Sequence, residues 1–157
     1  MARIPVRHPS VCFVCESGDG TASDRLGNTF YWDADVGEVS STVRMGPLCQ
    51  GAPDHAHGGS LFALLDEAMG MAAWQQGYRV LAAHVDIDFR RPVRLGSDVE
   101  VRARVHSVDG RKVHTRGEIR IGEAVMAEAS GLFVVAVGHD WTLGEGWNAK
   151  GEASPDA

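Results

Sequence analysis

His57-Gly58-Gly59-Ser60-Leu61-Phe62-Ala63-Leu64-Leu65-Asp66-Glu67-Ala68-Met69-Gly70-Met71-Ala72-Ala73-Trp74 is the one long helical pattern in this chain of 157 residues. Leu61, Leu64, Leu65, Ala68, Met71 and Ala72 recur at helical spacing. Phe62, Met69 and Ala73 fill much of the other side. A helix that is apolar nearly all round belongs in a core rather than on a surface. Ser60 is the expected N-cap and Gly77 the expected stop. Two features do not suit a purely structural helix: the acidic pair Asp66–Glu67 inside the run, and the paired glycines that open it.

The first turn of a helix carries backbone N–H groups with no intrahelical partner. Gly58 and Gly59 have no Cβ, so a ligand oxygen can approach those donors closely. The helix dipole favours negative charge at the same place. Together these can polarise a carbonyl and hold a developing oxyanion. A tight loop would also call for glycine, so the pair alone decides nothing. Asp66 is bounded by Phe62, Leu65 and Met69. Desolvation there should raise its pKa, as at many functional carboxylates. Glu67 is rotated by about 100° on the same helix and should point elsewhere.

Gly59 and Asp66 are seven residues apart, roughly 10 Å along a helix axis. One small reacting carbonyl does not easily touch both on one helix. A second copy of the helix, antiparallel across a two-fold interface, would bring Gly58 and Gly59 of one chain near Asp66 of the other. The spacing therefore predicts a homodimer with a shared site.

Around the helix the pattern changes to period two. Thr29–Ala34 and Glu38–Met45 read as a hairpin turning at Asp35-Val36-Gly37. Gly46–Ala56 is a loop. Four strands follow the helix: 79–90, 98–108, 111–121 and 124–137. Asp109-Gly110 is a strong hairpin signal. Val99, Val101, Ala103 and Val105 alternate with Glu100, Arg102, Arg104 and His106, so each strand has one wet face and one that needs a cover. The 60–76 helix is the only long apolar element available. The expected fold is α+β: an antiparallel sheet of about six strands wrapped around one central helix.

Length and composition agree with one domain, residues 29–137, flanked by an irregular segment 1–28 and a tail 138–157. Trp141, Leu143 and Trp147 in that tail could pack locally, and its last residues should be disordered. No apolar run is long enough to span a membrane, and no signal peptide is visible. Three cysteines are an odd count, which suits a reducing cytoplasm better than a disulfide framework. Net charge is −6, yet residues 79–120 hold ten Lys/Arg against six Asp/Glu, a local +4. A basic sheet in an acidic protein does not suggest nucleic-acid binding. It could serve a small polyanion, or simply be strand charges facing water. Cys12-Phe13-Val14-Cys15 could be half a zinc site completed by His8 or Cys49. With no second Cys-x-x-Cys, neither a metal nor another cofactor is expected.

His57-Gly58-Gly59 followed by Leu61–Asp66 resembles the signature of the hotdog-fold acyl-CoA thioesterases, in the PaaI-type branch near the 4-hydroxybenzoyl-CoA thioesterases. Ala83–Val93, with Phe89 and Pro92, and Gly96-Ser97-Asp98 resemble that family's strand after the helix. The Cys-Phe-x-Cys element also resembles one found ahead of the hotdog core in some bacterial members. The resemblance implies hydrolysis of a small or medium acyl-CoA or aryl-CoA in a cytoplasmic homodimer or homotetramer. Asp66 would be general base or nucleophile, the Gly58 or Gly59 N–H would hold the carbonyl, and His57 would shape the loop or touch the substrate. It also places a substrate-loop polar residue near Gln50. Relatives carry a water-positioning hydroxyl where this chain has Gly70 or His84; His84 either substitutes for it or faces solvent with Asp86. A non-catalytic acyl-CoA-binding module is the alternative, although such a module needs no carboxylate at Asp66. A hotdog hydratase or dehydratase usually needs a His with an acid in a different motif, such as Asp-x-x-x-x-His after the loop, of which there is no convincing version. Phosphate-loop and nucleophile-elbow motifs are also missing.

Overall fold

In the computed structural model the described residues are 3–6, 12–15 and 26–137. Trp141, Leu143, Trp147 and the rest of the tail lie outside them, as does His8. The elements in chain order are β1 (Ile4–Val6), β2 (Phe30–Asp33), β3 (Glu38–Arg44), α1 (Gly58–Gln75), β4 (Val80–Phe89), β5 (Asp98–Asp109), β6 (Lys112–Ile121) and β7 (Ala124–Val135). They form one seven-stranded sheet in the order β1-β2-β3-β5-β6-β7-β4, with every pairing antiparallel. The long helix packs on one face of this sheet, which is the hotdog arrangement. The six expected strands are present.

The seventh strand, β1, lies in the segment expected to be irregular. Its Pro5 is paired with Tyr31 at the outer edge of the sheet, a position that tolerates a residue with no N–H to give. The turns fall where expected. Gly110, between β5 and β6, sits at φ 54°, a left-handed conformation that a side chain resists.

Alternation along the strands supplies the core. Val99, Val101, Val113 and Ile119 are buried against Leu61, Leu64, Leu65, Ala68 and Met69 of α1. Met69 and Met71 are therefore core side chains, whereas Phe62 keeps 37% of its surface exposed. On the opposite sheet face Arg102 pairs with Glu100, Arg120 with Glu118, and Arg90 with Asp88 and Glu128. β4 is the edge strand beyond β7. Leu81 and Phe89 on it are half exposed.

Candidate active site

α1 begins three residues earlier than the Ser60 cap implies. The N-cap is His57, whose backbone is extended and whose ring Nδ1 accepts a hydrogen bond from the Gly59 N–H at 2.7 Å. Ser60 is inside the first turn, and its hydroxyl donates to the His57 carbonyl at 2.7 Å. The imidazole does here what a Ser or Asp side chain does at most N-termini. The expected stop holds: Gln76 is the C-cap and Gly77 follows at φ 92°.

This cap separates the two glycines chemically. The Gly59 N–H is committed to the histidine. The Gly58 N–H has no recorded acceptor among the described residues, so it is the donor left at the mouth of the helix. A Cβ on Gly58 would stand 3.0 Å from the Phe89 ring. The chain therefore passes close under an aromatic side chain that sequence reasoning did not connect with this turn. A phenylalanine at the end of a strand carries no local sign of covering a helix start 31 residues earlier.

The loop ahead of the helix is tied down by backbone bonds. The His57 N–H donates to the Cys49 carbonyl at 2.6 Å, and the Ala56 N–H to the Val93 carbonyl at 2.8 Å. Gln50 forms a bridge with Ala56, and His55 with Arg94. Gln50 is thus at the base of the His57 loop, with its side chain exposed. Asp54 and His55 belong to the loop surface: the His55 Nδ1 lies 2.8 Å from the Pro53 carbonyl.

Asp66 lies on the second turn beyond, half buried. Its Oδ1 is shielded from solvent and has no hydrogen-bond partner among the described residues. Burial pushes its carboxyl above the usual carboxylate range. A shielded carboxylate oxygen without a donor is costly, because lost hydration is not replaced. Glu67 does point elsewhere. Its Oε1 accepts from the Cys15 thiol at 3.3 Å.

Two other candidates do not join Asp66 within the chain. Gly70 faces β7, and a Cβ there would lie 3.5 Å from the Phe133 ring. His84 is on the face turned away from α1, where it pairs with Asp86 at 3.0 Å and lines a shallow depression with His114, Arg116 and Ser130. Within one chain, then, His84 is exposed and paired with Asp86.

The stretch that holds this helix and most of the sheet is similar to known proteins. Residues 54–128 fit the family model described as the Thioesterase superfamily. The chain is 33% identical over 91 residues to acyl-coenzyme A thioesterase THEM4 of Xenopus laevis, covering 57% of this chain and 41% of that protein. The corresponding Bos taurus protein is 35% identical over 91 residues, covering 57% of this chain and 37% of its own. The chain thus spans about two fifths of the length of these relatives. A crystal structure of a thioesterase superfamily protein superposes with a TM-score of 0.69 at 32% identity, over 76% of this chain and 58% of that one. The PaaI protein of the E. coli phenylacetic acid degradation operon superposes with a TM-score of 0.60 at 26% identity, over 64% of this chain and 73% of that one. No helix among the described residues is long and apolar enough to cross a membrane.

Proposed function

We propose that this chain hydrolyses acyl-CoA thioesters with a small or medium acyl or aryl group, at a site shared by two copies. Residues 29–137 form the catalytic domain in this reading. One observation carries it: the shielded, unpartnered Oδ1 of Asp66. Folding tolerates such an oxygen where a substrate or water is to be held.

The thioester carbonyl accepts from the Gly58 N–H, where the helix dipole stabilises the developing oxyanion. Asp66 then acts in one of two ways. As general base it takes a proton from water, the hydroxide adds to the carbonyl carbon, the C–S bond breaks, and the CoA thiolate is protonated as it leaves. As nucleophile it forms a mixed anhydride that water opens in a second step. His57 keeps the first turn in place, and Gln50 stands where a substrate-loop contact is required.

Gly58 and Asp66 of one chain are eight residues apart, roughly 12 Å along the axis. The pair works on one carbonyl only when Asp66 comes from a second copy. Exposed Phe62, Leu81 and Phe89 offer apolar surface for such a dimer. Pairs of dimers would make a tetramer. A reducing cytoplasm suits three cysteines that are in no disulfide.

The test is thiol release from a panel of acyl-CoAs, with wild type beside Asp66→Asn. Release by wild type, and its loss in a variant with an unchanged circular dichroism spectrum, is the expected result. Saturable binding of CoA esters with no release would replace hydrolysis by a binding role. Full activity in Asp66→Asn would remove Asp66 from the mechanism.

A further inference from the structure

Cys12 and Cys15 are absorbed neither by the sheet nor by the proposed chemistry. The segment that carries them is fixed to the chain ahead of β2. The Leu26 N–H donates to the Phe13 carbonyl and the Asn28 N–H to the Val14 carbonyl, both at 2.9 Å, and Cys15 bridges Asn28 in parallel. Val14 and Cys15 are buried, at 5% and 4% exposure. Their burial brings the two sulfurs onto the side of α1 where Glu67 lies. One ligand atom each from Cys12, Cys15 and Glu67 falls within 4.8 Å of the other two. Cys49, the alternative partner for the pair, is not part of this cluster.

We propose that Cys12, Cys15 and Glu67 bind one zinc ion, which pins the N-terminal segment against α1. Two thiolates and a carboxylate are a borderline donor set. The sulfurs disfavour magnesium and calcium, and zinc takes sulfur and oxygen together. In a tetrahedral site with metal–ligand bonds of about 2.0–2.3 Å, donor atoms lie roughly 3.3–3.8 Å apart. The observed cluster reaches that by a small contraction. Three protein donors leave one tetrahedral position for water.

The chemistry of the cluster favours a cation. Three acidic groups converge, Cys15 buried and Cys12 and Glu67 partly exposed. A dication would join all three donors, because a coordinated thiol loses its proton. The site is separate from Asp66, and its fate does not depend on thioester hydrolysis.

The test uses the full chain purified without chelator, with zinc measured by elemental analysis. The expected result is one zinc per chain, absent from a Cys12→Ser/Cys15→Ser variant and reduced in Glu67→Gln, which keeps the side chain's size but removes its charge. Cobalt replacement should give an intense thiolate-to-metal absorption in wild type. This readout needs no variant, so a folding defect in the double mutant does not blunt the test. Zinc-free wild type that takes up neither zinc nor cobalt overturns the proposal. So does zinc that persists when both cysteines are replaced, and so does a Cys12–Cys15 disulfide in protein that binds no metal.

Discussion

The two faces of the sheet treat charge in opposite ways. On the outer face carboxylates and guanidiniums find one another: Arg102 with Glu100, Arg120 with Glu118, Arg44 with Asp98 at 3.1 Å, although the Arg102 Nε itself is shielded and has no partner among the described residues. On the inner side the helix carries two adjacent acids among leucines and methionines. Glu67 meets a thiol, and the shielded oxygen of Asp66 meets no donor among the described residues. Exposed pairs are cheap to make and contribute little, because solvent screens both partners. A shielded, unpaired carboxylate oxygen opposes folding. The proposed chemistry is what would offset that cost at Asp66.

The strongest attempt to break that contrast is Asp66→Asn. If the acid serves hydrolysis, kcat for thiol release falls by at least about 10²-fold, while replacing any outer-face acid leaves it unchanged. Single turnover in ¹⁸O-labelled water then separates the two roles. A base leaves the carboxylate unlabelled, whereas an anhydride opened at the Asp66 carbonyl puts label into Asp66.

Next in size is Gly58→Ala. The new methyl meets only the mobile end of the Phe89 ring at 3.0 Å, so the fold should survive. The N–H it shields should lose its ligand, lowering kcat/KM by up to about 10²-fold. Adding Phe89→Leu relieves the clash. Recovery of activity in that double variant would show that Gly58 is required for packing rather than for carbonyl approach.

The buried acid also has a stability signature. Its folded pKa lies above the unfolded value of about 3.9. Between those two pH values the folded state binds more protons than the unfolded state, so stability falls as pH rises through the window. Asp66→Asn should therefore raise the melting temperature at neutral pH, and the gain should vanish in acid below the unfolded pKa. Thermal melts at both pH values check this. A variant less stable than wild type at neutral pH would mean that Asp66 has a partner.

Smaller again is His57→Ala, which removes the N-cap acceptor. A loss of about 1 kcal/mol is expected, or a melting temperature about 2–4 °C lower, with part of the activity lost as the first turn frays. The smallest effect belongs to the outer face. Asp98→Asn, opposite Arg44, should change stability by about 0–1 kcal/mol and leave thiol release alone. A larger change there would make the outer face more than a solvated surface.

Much of this was legible in the chain itself. Leu61 to Ala72 at helical spacing and the period-two runs from Val99 to Ile121 already specify one helix under one sheet. Both periodicities follow from local backbone geometry. Gly58 and Asp66 were also readable, because an acid in an apolar run and glycines at a helix start are conspicuous against their neighbours. Local pattern did not reveal β1, whose three residues contain a proline and depend on the β2 edge. It did not reveal the cap, since histidine is an uncommon acceptor there and Ser60 was the better local choice. Nor did it choose between the two glycines, because the spare donor depends on where the His57 ring turns.

Other relations exist only once the chain is folded. Phe89 over Gly58 joins residues 31 positions apart, and Cys15 against Glu67 joins residues 52 apart. Periodicity says which face a residue takes on its own element. It does not say which side chain of another element will stand opposite. Sequence by itself determined the elements, the buried helix and the acid within it, because these rest on repeats of a few residues. Tertiary structure decided which amide stays available, which acid is left without a partner and which meets a thiol. Those outcomes depend on distances across the core, and only packing of α1 against the sheet and the N-terminal segment sets them.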